Sequence, residues 1–117
     1  MAEVTEPGYQ DLRDYIEANW DYMEPYDDNQ NAILRIDVSD GRLQWTHTAG
    51  SQTLVLEGVF QGSDSDISLP QTFSGSRIFD VDTDGDAYSD ESFTDFTMED
   101  ENDQITIEHE IEVPELS

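Results

Sequence analysis

The chain has 117 residues, with 29 Asp and Glu against 4 Lys and Arg, and a formal net charge of −25. That length holds one domain with a single modest core. The charge excludes direct nucleic-acid binding, because no basic patch exists to neutralise phosphates; the absence of Cys excludes a disulfide frame, a thiol nucleophile and a thiolate metal site.

All the basic residues are Arg (Arg13, Arg35, Arg42 and Arg77). In dilute salt such an imbalance destabilises a compact chain through self-repulsion. At about 1 M salt the Debye length is only about 3 Å, and most of that repulsion is removed. The composition therefore predicts a protein of an extreme halophile, with acidic side chains holding water at its surface. High charge is also a mark of disorder, but 5 Phe, 5 Tyr and 2 Trp and a clear alternation oppose it. A dense acidic surface also suits a DNA mimic. No apolar run approaches the length of a membrane span. The opening Met-Ala-Glu-Val-Thr-Glu has neither a basic region nor an apolar core, so a soluble product of the cytoplasm is expected.

Residues 1–6 are polar and expected to be flexible, ahead of one domain over 7–117. Pro7 suits the first turn of a helix. Tyr9, Leu12, Ile16 and Trp20 recur at helical spacing, with Asp11, Arg13, Asp14 and Glu17 read as off the stripe. The spacing predicts an amphipathic helix over 7–19. Its stripe has two uses. It packs on a sheet, or Tyr9, Leu12, Tyr15, Ile16 and Trp20 dock a neighbouring subunit.

Residues 20–26 read as a short strand that Pro25 demotes to an edge or an irregular position. A turn cluster at 27–31 leads into a strand over 32–38, with Leu34, Ile36 and Val38 on one face. Leu43, Trp45 and His47 alternate with Gln44, Thr46 and Thr48 in the next strand. Residues 53–60 follow, with Leu54, Leu56 and Phe60 on one side. A brief strand at 67–69 ends at Pro70, and another runs over 73–81. Residues 92–99 fit helix by Phe93 and Phe96 and strand by Phe96, Met98 and their Thr content. The last strand, 105–113, alternates without a break: Ile105, Ile107, His109, Ile111 and Val113 against Thr106, Glu108, Glu110 and Glu112. Closely spaced turns and no crossover helix predict a mainly β chain, an antiparallel β-sandwich of about seven to eight strands with one N-terminal helix.

One loop carries a motif. Asp80, Asp82, Asp84, Gly85 and Glu91 satisfy D-x-D-x-D-G-x5-E, the pattern of a calcium loop of about twelve residues. Alternate Asp side chains converge on a hard cation, Asp86 adds its carbonyl, and Glu91 closes the site with both carboxylate oxygens. The flanks read as strands where an EF-hand needs helices, and Ala87 stands where that family carries a branched apolar residue. A solvated acidic hairpin loop is the competing reading, so Ca²⁺ is the one cofactor in view. His47 and His109 fall in inward register; a meeting across a sheet to share a metal would need a third ligand, and they read as bonded to neighbours within or at the rim of the core. No nucleophile–base constellation, phosphate loop or H-E-x-x-H motif is present, which predicts no enzyme.

Residues 76–93, Ser-Arg-Ile-Phe-Asp-Val-Asp-Thr-Asp-Gly-Asp-Ala-Tyr-Ser-Asp-Glu-Ser-Phe, and 103–113, Asp-Gln-Ile-Thr-Ile-Glu-His-Glu-Ile-Glu-Val, resemble small β-rich structural proteins of tailed phages and prophages. Those proteins pair an apolar strand and an Asp-x-x-x-Gly turn with a second strand, then close on a terminal strand like Asp103 to Ile107. The likeness extends weakly over 45–56 and covers about half the chain. The extra Asp residues in the turn depart from it, since relatives often carry a second Gly there. The resemblance implies a capsid decoration, turret, tail or tail-fibre protein. With the composition, it implies a haloarchaeal tailed virus or provirus. Localisation is then the virion, after synthesis in the host cytoplasm. The partners are other capsid, neck or tail proteins and further copies in a symmetric homo-oligomer. The alternative is a cellular halophilic acidic β-domain that binds proteins or mimics DNA.

Overall fold

The computed structural model describes residues 2–114. The chain runs α1 (Glu6–Asn19), β1 (Tyr22–Tyr26), β2 (Ile36–Asp37), β3 (Leu43–Thr46), β4 (Thr53–Gln61), β5 (Gln71–Phe79), β6 (Ser89–Met98) and β7 (Gln104–Glu112). Two antiparallel sheets, in the orders β2-β1-β5-β6 and β3-β4-β7, form the sandwich that the alternation predicts.

The pairing of β4 with β7 sets the second sheet. Leu54, Leu56, Gly58 and Phe60 stand opposite Ile111, His109, Ile107 and Ile105. A one-residue slip would turn Glu108, Glu110 and Glu112 into the core, so the register is strongly specified. From the facing sheet, Met23, Phe73, Ile78 and Met98 are fully buried in one cluster with Leu56 and Phe60. The Phe60 and Phe73 rings stack between sheets at 6.2 Å. Each such side chain contributes about 1.5–3 kcal/mol by leaving water.

Four expectations need correction. Arg13 does not lie off the helical stripe; it is 1% exposed. It falls four residues after Tyr9 and three before Ile16, which is mid-stripe. Its guanidinium donates to the Val113 carbonyl (2.7 Å), Glu6 (2.6 Å) and Gln10 (3.2 Å), and that pairing makes the burial tolerable. Pro25 does not confine its strand to an edge: β1 lies between β2 and β5. The β2 ladder reaches only Tyr22 and Met23, so Pro25 lies past its end. There the Pro25 carbonyl accepts from Ile33 N–H, and the amide hydrogen that Pro lacks would point to that same side, away from β5.

The expected strand over 32–38 shrinks to Ile36–Asp37 plus one bridge from Ala32 to Tyr26. Ile33 and Leu34 are consecutive, and both pack on the core, which a strict alternation forbids. Val38 is left exposed. Residues 67–69 form no strand; Ile67 is buried in the core from a loop, and Leu69, half-buried, packs against it.

The ambiguous 92–99 segment is strand, within β6. Phe73 pairs with Phe96 and Gly75 with Ser92, so Phe93, Thr94 and Asp95 stand against Ser74 alone. That bulge lets both Phe93 and Phe96 pack on the core at a three-residue spacing, which is why the pattern resembled a helix.

Candidate functional site

The helix is fixed to the body by side chains that reach both sheets. Ile16 is buried, and Trp20 packs on the core and against the Tyr88 ring at 5.2 Å. Arg13 holds the end of β7 through Val113. Glu17 Oε1 lies 2.7 Å from His47 Nδ1, while His47 Nε2 donates to the Ser51 carbonyl at 2.8 Å. Asp21 and Trp45 meet beside this pair without a well-aligned hydrogen bond. Asp21 Oδ1 and Trp45 Nε1 are buried and unpartnered; burial pushes the Asp21 carboxyl up, and the indole N–H opposes it.

The five residues expected at an interface therefore divide. Ile16 is buried, and Tyr9 and Trp20 are half-buried. Leu12 and Tyr15 are 47% and 59% exposed, and Tyr88 adds a ring that is 49% exposed. Tyr88 lies against Trp20, so its ring continues the helix face. Its hydroxyl donates to Asp80 Oδ2 at 3.2 Å, and that acceptor raises the phenol's pKa. The sequence pointed to the helix; only the fold brings Tyr88 to it.

The acidic loop joins β5 to β6. Asp84 and Gly85 both take positive φ (54° and 77°), which turns the chain sharply. Asp80, Asp82, Asp84 and Asp86 are exposed on this loop, whereas Glu91 lies on β6, half-buried, with its carboxylate 3.5 Å from the Glu110 amide. Burial raises the Glu91 carboxyl. Among the described residues, no three His, Asp or Glu side chains converge as metal ligands. The loop is instead held by Arg35. Its guanidinium donates to the Val81 and Asp84 carbonyls (2.9 and 3.0 Å), pairs with Glu24 (3.1 Å) and covers the Phe79 ring at 3.5 Å. A cation of the protein itself takes two of the loop's carbonyls. Calcium titration of the wild type is expected to give no saturable heat below about 1 mM. A saturable heat lost on replacing Asp82 and Asp84 by Ala would instead put the ion in the loop.

His47 and His109 do not meet. His109 is fully buried and bridges the two sheets: Nδ1 is 2.7 Å from Ser76 Oγ, and Nε2 is 2.7 Å from Ser89 Oγ. Burial pushes its pKa down to about 4, so the ring is neutral at pH 7, donating at one nitrogen and accepting at the other. Ser76 is likewise fully enclosed. This Ser–His–Ser tie pins β7 to β5 and β6 inside the sandwich. The inward register of His109 signalled it, but its two partners depend on the inter-sheet register, which no local pattern carries.

A second cluster fixes the turn before β3. Arg42 donates to Asp40, Asp64 and Asp66 at 2.7–3.2 Å. That contact raises the guanidinium's pKa and lowers those of Asp40 and Asp66. On the outer face of the first sheet, Arg77 lies over the Tyr26 ring at 4.2 Å and pairs with Asp90 at 3.2 Å. Gly75 makes room for this stack, because a Cβ there would meet the Tyr26 ring at 2.2 Å. All four guanidiniums are thus engaged within the molecule.

Comparison of the chain with protein-family models, with curated proteins and with solved structures found no match.

Proposed function

We propose that the chain is a non-enzymatic structural protein of the virion of a haloarchaeal tailed virus or provirus. It serves as a capsid-decoration, turret or tail component and assembles as a symmetric oligomer in concentrated salt. The observation that carries this reading is the apolar patch of Leu12, Tyr15 and Tyr88 on a molecule whose charge is −25. Exposed aromatic side chains of this kind are the usual anchors of protein interfaces. The resemblance of residues 76–93 and 103–113 to tailed-phage structural proteins supplies the biological setting, and the composition supplies the solvent.

The placement of the acids favours this reading over DNA mimicry. Exposed carboxylates occur on α1 (Asp11, Asp14), in the β5–β6 loop (Asp82, Asp84), on β6 (Asp90, Asp95) and on β7 (Glu108, Glu110). A mimic needs them concentrated on one face, whereas a coat that holds water needs them on every face.

Sedimentation at about 2 M KCl, where long-range repulsion is screened, tests the assembly. The wild type is expected to sediment as an oligomer, and Leu12→Ser with Tyr15→Ser to associate at least about tenfold more weakly, since both side chains are exposed in the isolated fold. A wild type that stays monomeric and binds no capsid or tail protein removes the reading.

A further inference from the structure

The two sheets end side by side in edge strands, β6 on one and β7 on the other. At one end this seam is closed. Ser89 meets His109, and the Glu91 carboxylate approaches the Glu110 amide. Further along, the β6 bulge at residues 93–95 interrupts the pairing. There a groove of about 380 Å³ opens between the strands, lined by Phe93 and Thr94 on one side and Ile105, Thr106 and Ile107 on the other.

Among the described residues β7 pairs only with β4. In an antiparallel ladder the N–H and C=O of one residue point to the same side. The Val113 N–H bonds the Gln52 carbonyl, and the Asp103 carbonyl accepts from Gly62 N–H, so odd-numbered residues turn toward β4. Gln104, Thr106 and Glu108 therefore turn their backbone groups toward the groove. Their side chains lie on the solvent face, and Ile105 and Ile107 lie on the core face.

We propose that this edge binds an extended segment of another protein, which adds to the sheet as a strand beside β7. The sites for alternate side chains differ. A residue opposite Glu108 would meet carboxylates, since Glu91 also lines the groove, one opposite Thr106 would meet a hydroxyl, and the residue between them would meet Phe93 and Ile107. The occupant is therefore a strand alternating Lys or Arg with Val or Ile. A second β7 fails this test, because it brings further carboxylates and no cation to Glu91 and Glu108. No other segment of this chain alternates basic residues, since its four Arg stand at 13, 35, 42 and 77. Carboxylates alone would only protect an edge from self-pairing. The apolar slot beside the open backbone is what such protection does not need and an added strand uses. This surface is separate from the α1 face and does not depend on the virion reading.

The test uses a labelled peptide of about seven residues alternating Lys and Val, with anisotropy read at about 2 M KCl, where diffuse attraction of a polycation to the acidic surface is screened. Saturable one-to-one binding is expected. N-methylation at the lysine amides, which would face β7, is expected to weaken binding at least about tenfold, because it removes the added ladder. A peptide of the same composition with its lysines in one block is expected to weaken it likewise. Thr106→Pro removes an amide that points away from β4 and is expected to abolish binding with the circular dichroism unchanged. If that variant does not fold, the N-methylated peptide against the wild type decides alone. No saturable binding, or equal binding of the alternating, blocked and N-methylated peptides, overturns the proposal.

Discussion

Transfer from about 2 M KCl to about 0.01 M should unfold the protein, with loss of the β-sheet circular dichroism signal and of all protection from proteolysis. The molecule measures 53 × 26 × 24 Å. At about 0.01 M salt the Debye length is about 30 Å, longer than two of those three dimensions, so nearly every carboxylate repels nearly every other. At about 1 M it is about 3 Å, and only carboxylates in contact interact. The counter-charges do not change this. Arg13, Arg35, Arg42 and Arg77 are each committed to a local ion pair, and there are 29 acids against those four cations. Domains of this size are stable by only about 5–15 kcal/mol, so losing the screening removes most of the margin. KCl and NaCl should act alike at equal ionic strength if screening is the cause. An unfolding midpoint that stays level across this salt range would refute the halophilic reading.

The parts of the fold that could be read from the sequence are those where one local period decides the outcome. β4 and β7 alternate cleanly, because one face is core and the other is water, and their burial follows that alternation. The parts that could not be read are those where a contact from elsewhere decides. Arg13 lies at an angular position that marks it as buried, but its charge argues the other way until the Val113 carbonyl and Glu6 are known to be its partners. The bulge in β6 converts a strand spacing into a helical one. The acidic motif shows the same limit from the site's side. The spacing from Asp80 to Glu91 fits a calcium loop as a string, but convergence depends on the flanks. Here the flanks are strands, one of which carries Glu91 away into the β6–β7 seam, and Arg35 binds the loop's carbonyls. Helical periodicity put Leu12 on one stripe with the buried Ile16, and only the fold shows that Leu12 and Tyr15 stay at the surface. Nor was Tyr88 legible as their neighbour, because it joins them only through Trp20.

Acid should destabilise the protein through His109, over a window that this residue defines. The unfolded ring titrates near 6.5, and the folded ring is pushed down to about 4 by burial. Between those values the unfolded chain binds a proton that the folded chain refuses. The neutral ring's contribution is therefore fully present above about pH 6.5 and is lost as pH falls through about 4, amounting to about 3 kcal/mol. Below the folded value both states are protonated and the effect saturates. Charging the ring also reverses one bond of the tie, since a doubly protonated imidazole can only donate and the hydroxyl of Ser76 or Ser89 that donated to it must turn around to accept. His109→Gln keeps a donor and an acceptor near both serines and does not titrate. Its unfolding free energy in urea at molar KCl should be flatter from pH 6.5 to pH 4 than that of the wild type by about 3 kcal/mol. Both proteins share every carboxylate, including the raised Glu91, so common acid effects cancel in the comparison. Parallel pH profiles for the two would mean that His109 is not the buried inter-sheet tie described above.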